Sequence, residues 1–174
     1  MVINNDRRNP YQHWLAIVIV LTIVILDQVS KYAIRTNFEL YESVAVIVGS
    51  FNLTYIENTG AAFGFLSNVS FPFKTTILAL AATIALLFIA FYMVTLPSSQ
   101  WIARTGLSCI LGGAMGNLID RITTGAVVDF IDLYWRGWHF WAFNVADTAV
   151  TLGVILYLIN VLLTKKPELA EQFD

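Results

Sequence analysis

Two aspartates, Asp129 and Asp147, have the surroundings that acid–base chemistry needs. Asp129 is embedded in Val127-Val-Asp-Phe-Ile131, an apolar setting that disfavours a charged carboxylate and raises its pKa. Asp147 follows Asn144 by three residues. Asn144 is a good N-cap, which places Asp147 in the first turn of a helix, where backbone N–H groups and the helix dipole favour the ionised form. Two acids whose environments push their pKa values apart can divide acid and base work. In this reading Asp147 is the ionised base and Asp129 the protonated acid.

The other acids have plainer accounts. Asp27 has Lys31 four residues on, the spacing of a helical ion pair, so a supporting role suffices. Asp120 precedes Arg121 and follows Asn117 by three residues; orienting that arginine and joining the chemistry are both open to it. Asp132 lies among aromatics and reads as a solvated side chain.

Alternative chemistries lack their residues. The two histidines, His13 and His139, form no His-Glu-x-x-His pattern, and the one cysteine, Cys109, has no pairing partner, so neither a metal nor a cofactor is implied. Cys109 sits in an apolar stretch and reads as packing. There is no Gly-x-Ser-x-Gly elbow and no phosphate-cradling glycine loop. A net charge of −2 with no basic run argues against nucleic acid. By elimination, an enzyme built on this chain uses carboxylates.

The elements that must position these acids are membrane helices. The chain has 174 residues, 57% hydrophobic and 13% charged, about half the roughly 25% charged residues of soluble domains. A span needs about 20 mostly apolar residues. Four segments qualify, at residues 14–34, 73–96, 101–119 and 145–164, which predicts an all-α membrane protein of four transmembrane helices in a single domain over residues 1–174. Arg7 and Arg8 before the first segment also resemble the start of a signal peptide. No small-x-small cleavage site follows, however, and the apolar character resumes after Asp27.

Four spans place both termini on one side. Lysines and arginines divide evenly: Arg7, Arg8, Arg104, Lys165 and Lys166 on the terminal side, Lys31, Arg35, Lys74, Arg121 and Arg136 on the other. The terminal side holds its charges in shorter flanks, which favours cytoplasmic termini. Trp14 and Trp101 would mark the inner interface, Trp135, Trp138 and Trp141 the outer.

This topology brings Asp27, Asn117, Asp120, Arg121, Asn144 and Asp147 to the outer ends of three spans, with Asn58 and Asp129 in the loops between them. Charge in mid-membrane costs on the order of 3 kcal/mol by insertion scales, so a cluster of this kind points to function. Gly112 and Gly116 form a Gly-x-x-x-Gly face that lets helices approach closely. In the first outer loop, β-rich runs at 44–48 and 51–56 flank Gly49-Ser50 and predict a hairpin. In the second, the aromatic run 130–141 reads as a segment lying in the membrane interface.

Five blocks, in order, resemble the bacterial lipoprotein signal peptidases (signal peptidase II): Asp27-Gln-Val-Ser-Lys31, Asn58-Thr-Gly-Ala-Ala-Phe63, Gly112-Gly-Ala-Met-Gly-Asn-Leu-Ile-Asp-Arg121, Val127-Val-Asp-Phe130 and Phe143-Asn-Val-Ala-Asp147. They span roughly residues 24–155. The resemblance implies a four-helix enzyme of the bacterial cytoplasmic (inner) membrane, with an extracytoplasmic β-cradle and a short interfacial helix. Its site would lie near the outer face, and it would act as a monomer without cofactor or metal. Such enzymes are aspartyl endopeptidases that remove the signal peptide from diacylglyceryl-modified prolipoproteins, cutting before the lipidated cysteine, so prolipoprotein and membrane lipid are the implied partners.

The family's catalytic pair falls on Asp129 and Asp147, which moves Asp120 to support. Asn58, Asn117, Arg121 and Asn144 fall on positions that contact substrate or hold the pair, and Asp27 on a further characteristic position. Ser30 stands where threonine is usual. A proton-coupled transporter subunit is the alternative. It would place charges along a path through the bilayer or show inverted repeats, and the sequence has neither. A purely structural scaffold would leave the Asn144–Asp147 capping pattern and the aromatic loop unexplained.

Overall fold

The computed structural model describes residues 10–60, 66, 69 and 71–164. In chain order the elements are α1 (Pro10–Asn37), β1 (Ser43–Ile47), β2 (Phe51–Asn58), α2 (Lys74–Thr95), α3 (Trp101–Thr123), β3 (Val127–Trp135), β4 (Trp138–His139) and α4 (Val145–Thr164). Each of the four helices is long and apolar enough to cross a membrane, as the four apolar segments predict. Arg7, Arg8, Lys165 and Lys166, which enter the orientation argument, lie outside the described residues, as do Ala61 to Phe63 of the second family block.

Burial runs opposite to that of a soluble bundle. Ile84, Leu87, Phe88 and Phe91 of α2 are between 66% and 71% exposed, as a helix apolar on every side must be when lipid surrounds it. The more polar α3 takes the centre, with Arg104, Ser108, Gly113 and Asp120 all buried. Glycines permit this. A Cβ at Gly113 would run into the Ala146 carbonyl oxygen, and one at Gly106 would lie 2.7 Å from the Gly153 carbonyl oxygen, so α3 and α4 touch backbone to backbone. The Gly112/Gly116 face meets α1: a Cβ at Gly112 would lie 3.0 Å from Ile23 Cβ, and one at Gly116 2.5 Å from Asp27 Oδ2.

Arg104 counts in sequence as a flanking charge; in the fold it is buried, 5% exposed. α2 stops before Pro97, which cannot continue it, and the Arg104 guanidinium donates to the freed carbonyls of Met93 (3.1 Å) and Leu96 (2.8 Å). A cation there also opposes the partial negative charge of the helix end.

At the opposite end of the bundle lies an antiparallel sheet in the order β1-β2-β3-β4. β1 and β2 form the predicted hairpin, with Ser43 opposite Thr54 and Gly49 at φ 90 in the turn. β2 pairs with β3 so that Asn58 faces Val127 and Ile56 faces Asp129. Ile34, Val128 and Phe130 form a buried cluster with Phe38 and Val145 packed on it, fixing the sheet to α1 and α4.

The aromatic run 130–141, expected to lie in the membrane interface, is folded as a hairpin. It is the β3–β4 hairpin, with Trp135 opposite Trp138. Arg136 (φ 51) and Gly137 (φ 81) make its turn, the two positive φ values that match the twist of a two-residue hairpin. Asp132 is correspondingly not solvated. It is 7% exposed and accepts from Asn52 Nδ2 (3.0 Å), with His139 Nδ1 2.8 Å away. Among the described residues there is no short helix beside the four long ones. α3 also runs four residues past its expected end. Gly125 (φ 84) then stops it, turning its N–H back to the Asp120 carbonyl at 3.2 Å.

Candidate active site

The sheet end of the bundle brings together the C-terminal turns of α1 and α3 and the N-terminal turn of α4, each carrying polar residues. A cavity of about 220 Å³ opens there, with Asn58, Asn117, Arg121, Asp129 and Asp147 in its wall. Ala82 and Ala114 complete the wall on the α2 and α3 side, where small side chains leave the space empty.

Both acids reach this cavity on rigid elements. Asp129 is on β3, 3% exposed; Asp147 is in the first turn of α4. Asn144 closes a reciprocal cap: the Asp147 N–H donates to Asn144 Oδ1 (2.9 Å) and the Asn144 N–H donates to Asp147 Oδ2 (3.2 Å). This is the capping box, with aspartate in the place usually held by Glu or Gln. The Asn144 side chain, fully buried, then donates through Nδ2 to Asp129 Oδ1 at 2.7 Å. One asparagine thereby ties the two carboxyls to each other.

Every carboxyl oxygen of the pair receives a donor. Asp129 Oδ2 accepts from Asn58 Nδ2 at 2.9 Å, and Asp147 Oδ1 from Asn117 Nδ2 at 2.8 Å. The orientation of each amide is set by chemistry. A backbone N–H only donates, so the Asn58 atom facing the Gly60 N–H (2.9 Å) must be oxygen, as must the Asn144 atom facing the Asp147 N–H. An ammonium also only donates, so the Asn117 atom 2.8 Å from Lys31 Nζ is oxygen. Each asparagine is held by an obligate donor and turns its NH2 to an aspartate.

Asp129 is pushed up to about 7. Burial, which penalises the charged form, is the main cause, and the neighbouring charge of Asp147 adds to it. The Asn58 and Asn144 hydrogen bonds and the more distant Lys31 pull the other way without prevailing. A carboxyl in that position is substantially protonated near neutral pH, as a general acid must be.

Asp27 and Asp120 do not line the cavity. They lie behind it, each fully buried, gripping Lys31 at 2.8 and 3.0 Å. Asp27 Oδ1 also accepts the Ala146 N–H (2.9 Å), next to Asp147, and Asp120 accepts Arg35 Nη2 (3.1 Å) and the Val128 N–H (3.3 Å), next to Asp129. These two acids brace the segments that carry the pair. Arg121 is in the wall but already donates to the carbonyls of Asn117 (3.2 Å) and Gly60 (3.0 Å), fastening the β2–α2 loop to α3. Sequence reasoning missed Gln28, whose amide donates to Asp27, Asp120 and the Gly116 carbonyl; its place inside the first family block was the available signal. Among the described residues, no group of three or more His, Cys, Asp or Glu is arranged to hold a metal ion.

Residues 19–163 match the family profile described as Signal peptidase (SPase) II. A lipoprotein signal peptidase of Syntrophus aciditrophicus is 41% identical over 144 residues, covering 83% of this chain and 89% of the relative. One of Symbiobacterium thermophilum is 42% identical over 152 residues, covering 87% and 97%. In structure, a bacterial membrane enzyme solved by the in meso method at 2.3 Å resolution superposes with a TM-score of 0.77 at 36% identity, over 88% of this chain and 91% of that one.

Proposed function

The chain belongs to the signal peptidase II family, and from that premise we propose that it is an aspartyl endopeptidase that frees diacylglyceryl-modified prolipoproteins of their signal peptides, cutting before the lipidated cysteine. The observation that carries this reading is the shared cavity into which Asp129 and Asp147 both open, with hydrogen-bonded Asn58, Asn117 and Arg121 and small apolar side chains around them. The chain acts as one multi-pass domain of the bacterial cytoplasmic membrane, with cytoplasmic termini and the site near the outer face.

A water held between the two carboxyls gives a proton to Asp147 and attacks the carbonyl carbon preceding the cysteine. Asp129, protonated, passes its proton to that carbonyl oxygen, so the tetrahedral intermediate forms without separated charge. Asp147 then protonates the cysteine nitrogen as the C–N bond breaks, and Asp129 recovers its proton as the new carboxyl forms. Proximity supplies much of the rate, because the bilayer confines signal helix and acyl chains alike.

An apolar groove of about 390 Å³ runs from Asp147 along Thr148, Thr151 and Leu152 of α4, under Phe140 and Phe143. It suits an acyl chain carried by the cysteine whose nitrogen forms the cleaved bond. Leu152→Trp, which fills this groove, is expected to raise KM for lipid-modified substrate about tenfold or more while changing kcat little, because about 100 Å² of apolar contact is worth some 2.5 kcal/mol. Steady-state kinetics in mixed micelles would show it, and an unchanged KM would remove the groove from the substrate path.

The deciding experiment compares one prolipoprotein with and without its diacylglyceryl group, incubated with purified protein and followed by mass spectrometry. Cleavage immediately before cysteine, in the modified substrate alone, is the expected result. Equal cleavage of both, or a cut elsewhere, contradicts the reading.

A further inference from the structure

We propose that Lys31 is a positioning residue for this site: its ammonium holds the Asn117 amide the right way round, so that a donor and not an acceptor faces Asp147. The inference rests on the peptidase reading above and concerns how one of its two carboxyls is kept in working order.

Lys31 is fully buried. Its Nζ lies 2.8 Å from Asp27 Oδ2, 3.0 Å from Asp120 Oδ2 and 2.8 Å from Asn117 Oδ1. An ammonium has three N–H bonds and accepts nothing, so each contact uses one of them. Charge balance does not require the third. Asp27 and Asp120 are matched by Lys31 and by Arg35, which reaches Asp120 Oδ1 at 3.1 Å. The bond to Asn117 is surplus to neutralisation, and it is the one aimed at the cavity wall.

Its effect is directional. With Oδ1 held by Lys31, Asn117 Nδ2 must point to Asp147 Oδ1, 2.8 Å away. Turning the amide over would set its NH2 against the ammonium and its carbonyl against the carboxyl of Asp147, replacing two attractive contacts with two repulsive ones. The Asn144 amide adds a second, longer donor to Asn117 Oδ1 at 3.2 Å, so the orientation is weakened by loss of Lys31 and not erased. Asn58 and Asn144 have their oxygens fixed by backbone N–H groups. Among these three asparagines, Asn117 alone depends on a side chain more than two residues away that can be replaced, and that side chain comes from another helix.

The test is a double-mutant cycle between Lys31→Met and Asn117→Ala, read as kcat and KM on a lipid-modified prolipoprotein with thermal stability measured alongside. It is run in the wild-type chain. Because Lys31→Met strands buried carboxylates, it is also run in an Asp120→Asn background that restores the charge balance. A residue acting through Asn117 loses its effect once Asn117 is gone. Lys31→Met is therefore expected to lower kcat about 10- to 100-fold with KM within twofold when Asn117 is present, and less than twofold when it is alanine. Equal losses in both backgrounds, no loss in either, or a loss confined to KM or to stability overturns the inference and leaves the peptidase reading standing. A wild-type chain unable to cleave the lipid-modified substrate overturns both.

Discussion

Asp129→Asn is expected to abolish cleavage while making the protein more heat-resistant at alkaline pH. Loss of either acid of a pair that works as a unit costs on the order of 10⁴-fold in kcat, so Asp147→Asn is expected to be as inactive. Stability is the second readout. The Asp129 carboxyl rises from an ordinary value near 4 to about 7 in the fold, chiefly through burial. Between those values the folded state holds a proton that the unfolded state has released, so stability falls as pH climbs from about 4 through 7. Asparagine resembles the protonated acid and carries no such penalty. The Tm of Asp129→Asn should therefore match wild type only below about pH 4 and exceed it at pH 8, by differential scanning in the same detergent. Activity should follow the same group: kcat/KM of the wild type falls as pH rises through about 7, because the acid that protonates the carbonyl is being lost. A variant with retained activity, or with lower Tm at pH 8, would remove Asp129 from the acid role.

Patterns local in sequence were the legible ones. The spans were visible because lipid demands about 20 apolar residues in a row, and the first hairpin because its two β-rich runs bracket Gly49-Ser50. The Asn144–Asp147 cap was equally local, and its bonds are present at 2.9 and 3.2 Å. What escaped was set by partners distant in the chain. Asp132 reads as solvated until Asn52 and His139 arrive from neighbouring strands. The apolar stretch predicts that α3 ends at residue 119, just before the charged Asp120 and Arg121. The helix continues because Lys31, Arg35 and the Val128 N–H satisfy Asp120 inside the bundle. Arg104 counts as a flanking charge because nothing local marks it as the cap of a helix that ends nine residues earlier. In the aromatic hairpin, Arg136-Gly137 between aromatic runs is a readable turn signal, whereas the density of tryptophan speaks only to where the segment lies.

Gly113→Ala is expected to be more damaging than Gly112→Ala, although the two positions are adjacent on one helix and both substitutions favour helix by up to about 1 kcal/mol. The difference lies in what each new methyl group meets. At Gly112 it would lie 3.0 Å from Ile23 Cβ and 3.2 Å from the Val20 carbonyl, a tight fit that a few tenths of an ångström between α3 and α1 can relieve. At Gly113 it would run into the Ala146 carbonyl oxygen, with Val150 Cγ2 at 2.8 Å. Backbone cannot rotate away, so α3 and α4 must separate at that level. Overpacking of this kind costs about 1–3 kcal/mol, which outweighs the gain in helix propensity and corresponds to a fall in Tm of roughly 5 °C. Activity should suffer more than stability. Ala146 precedes Asp147, and Asn117 lies one turn beyond Gly113, so the separation falls on the Asn117–Asp147 hydrogen bond of 2.8 Å. A displacement near 1 Å at such a contact costs on the order of 100-fold in rate. Comparing kcat and Tm of the two variants decides the matter: equal losses would mean that the close approach of α3 and α4 at Gly113 is not what holds the acid in place.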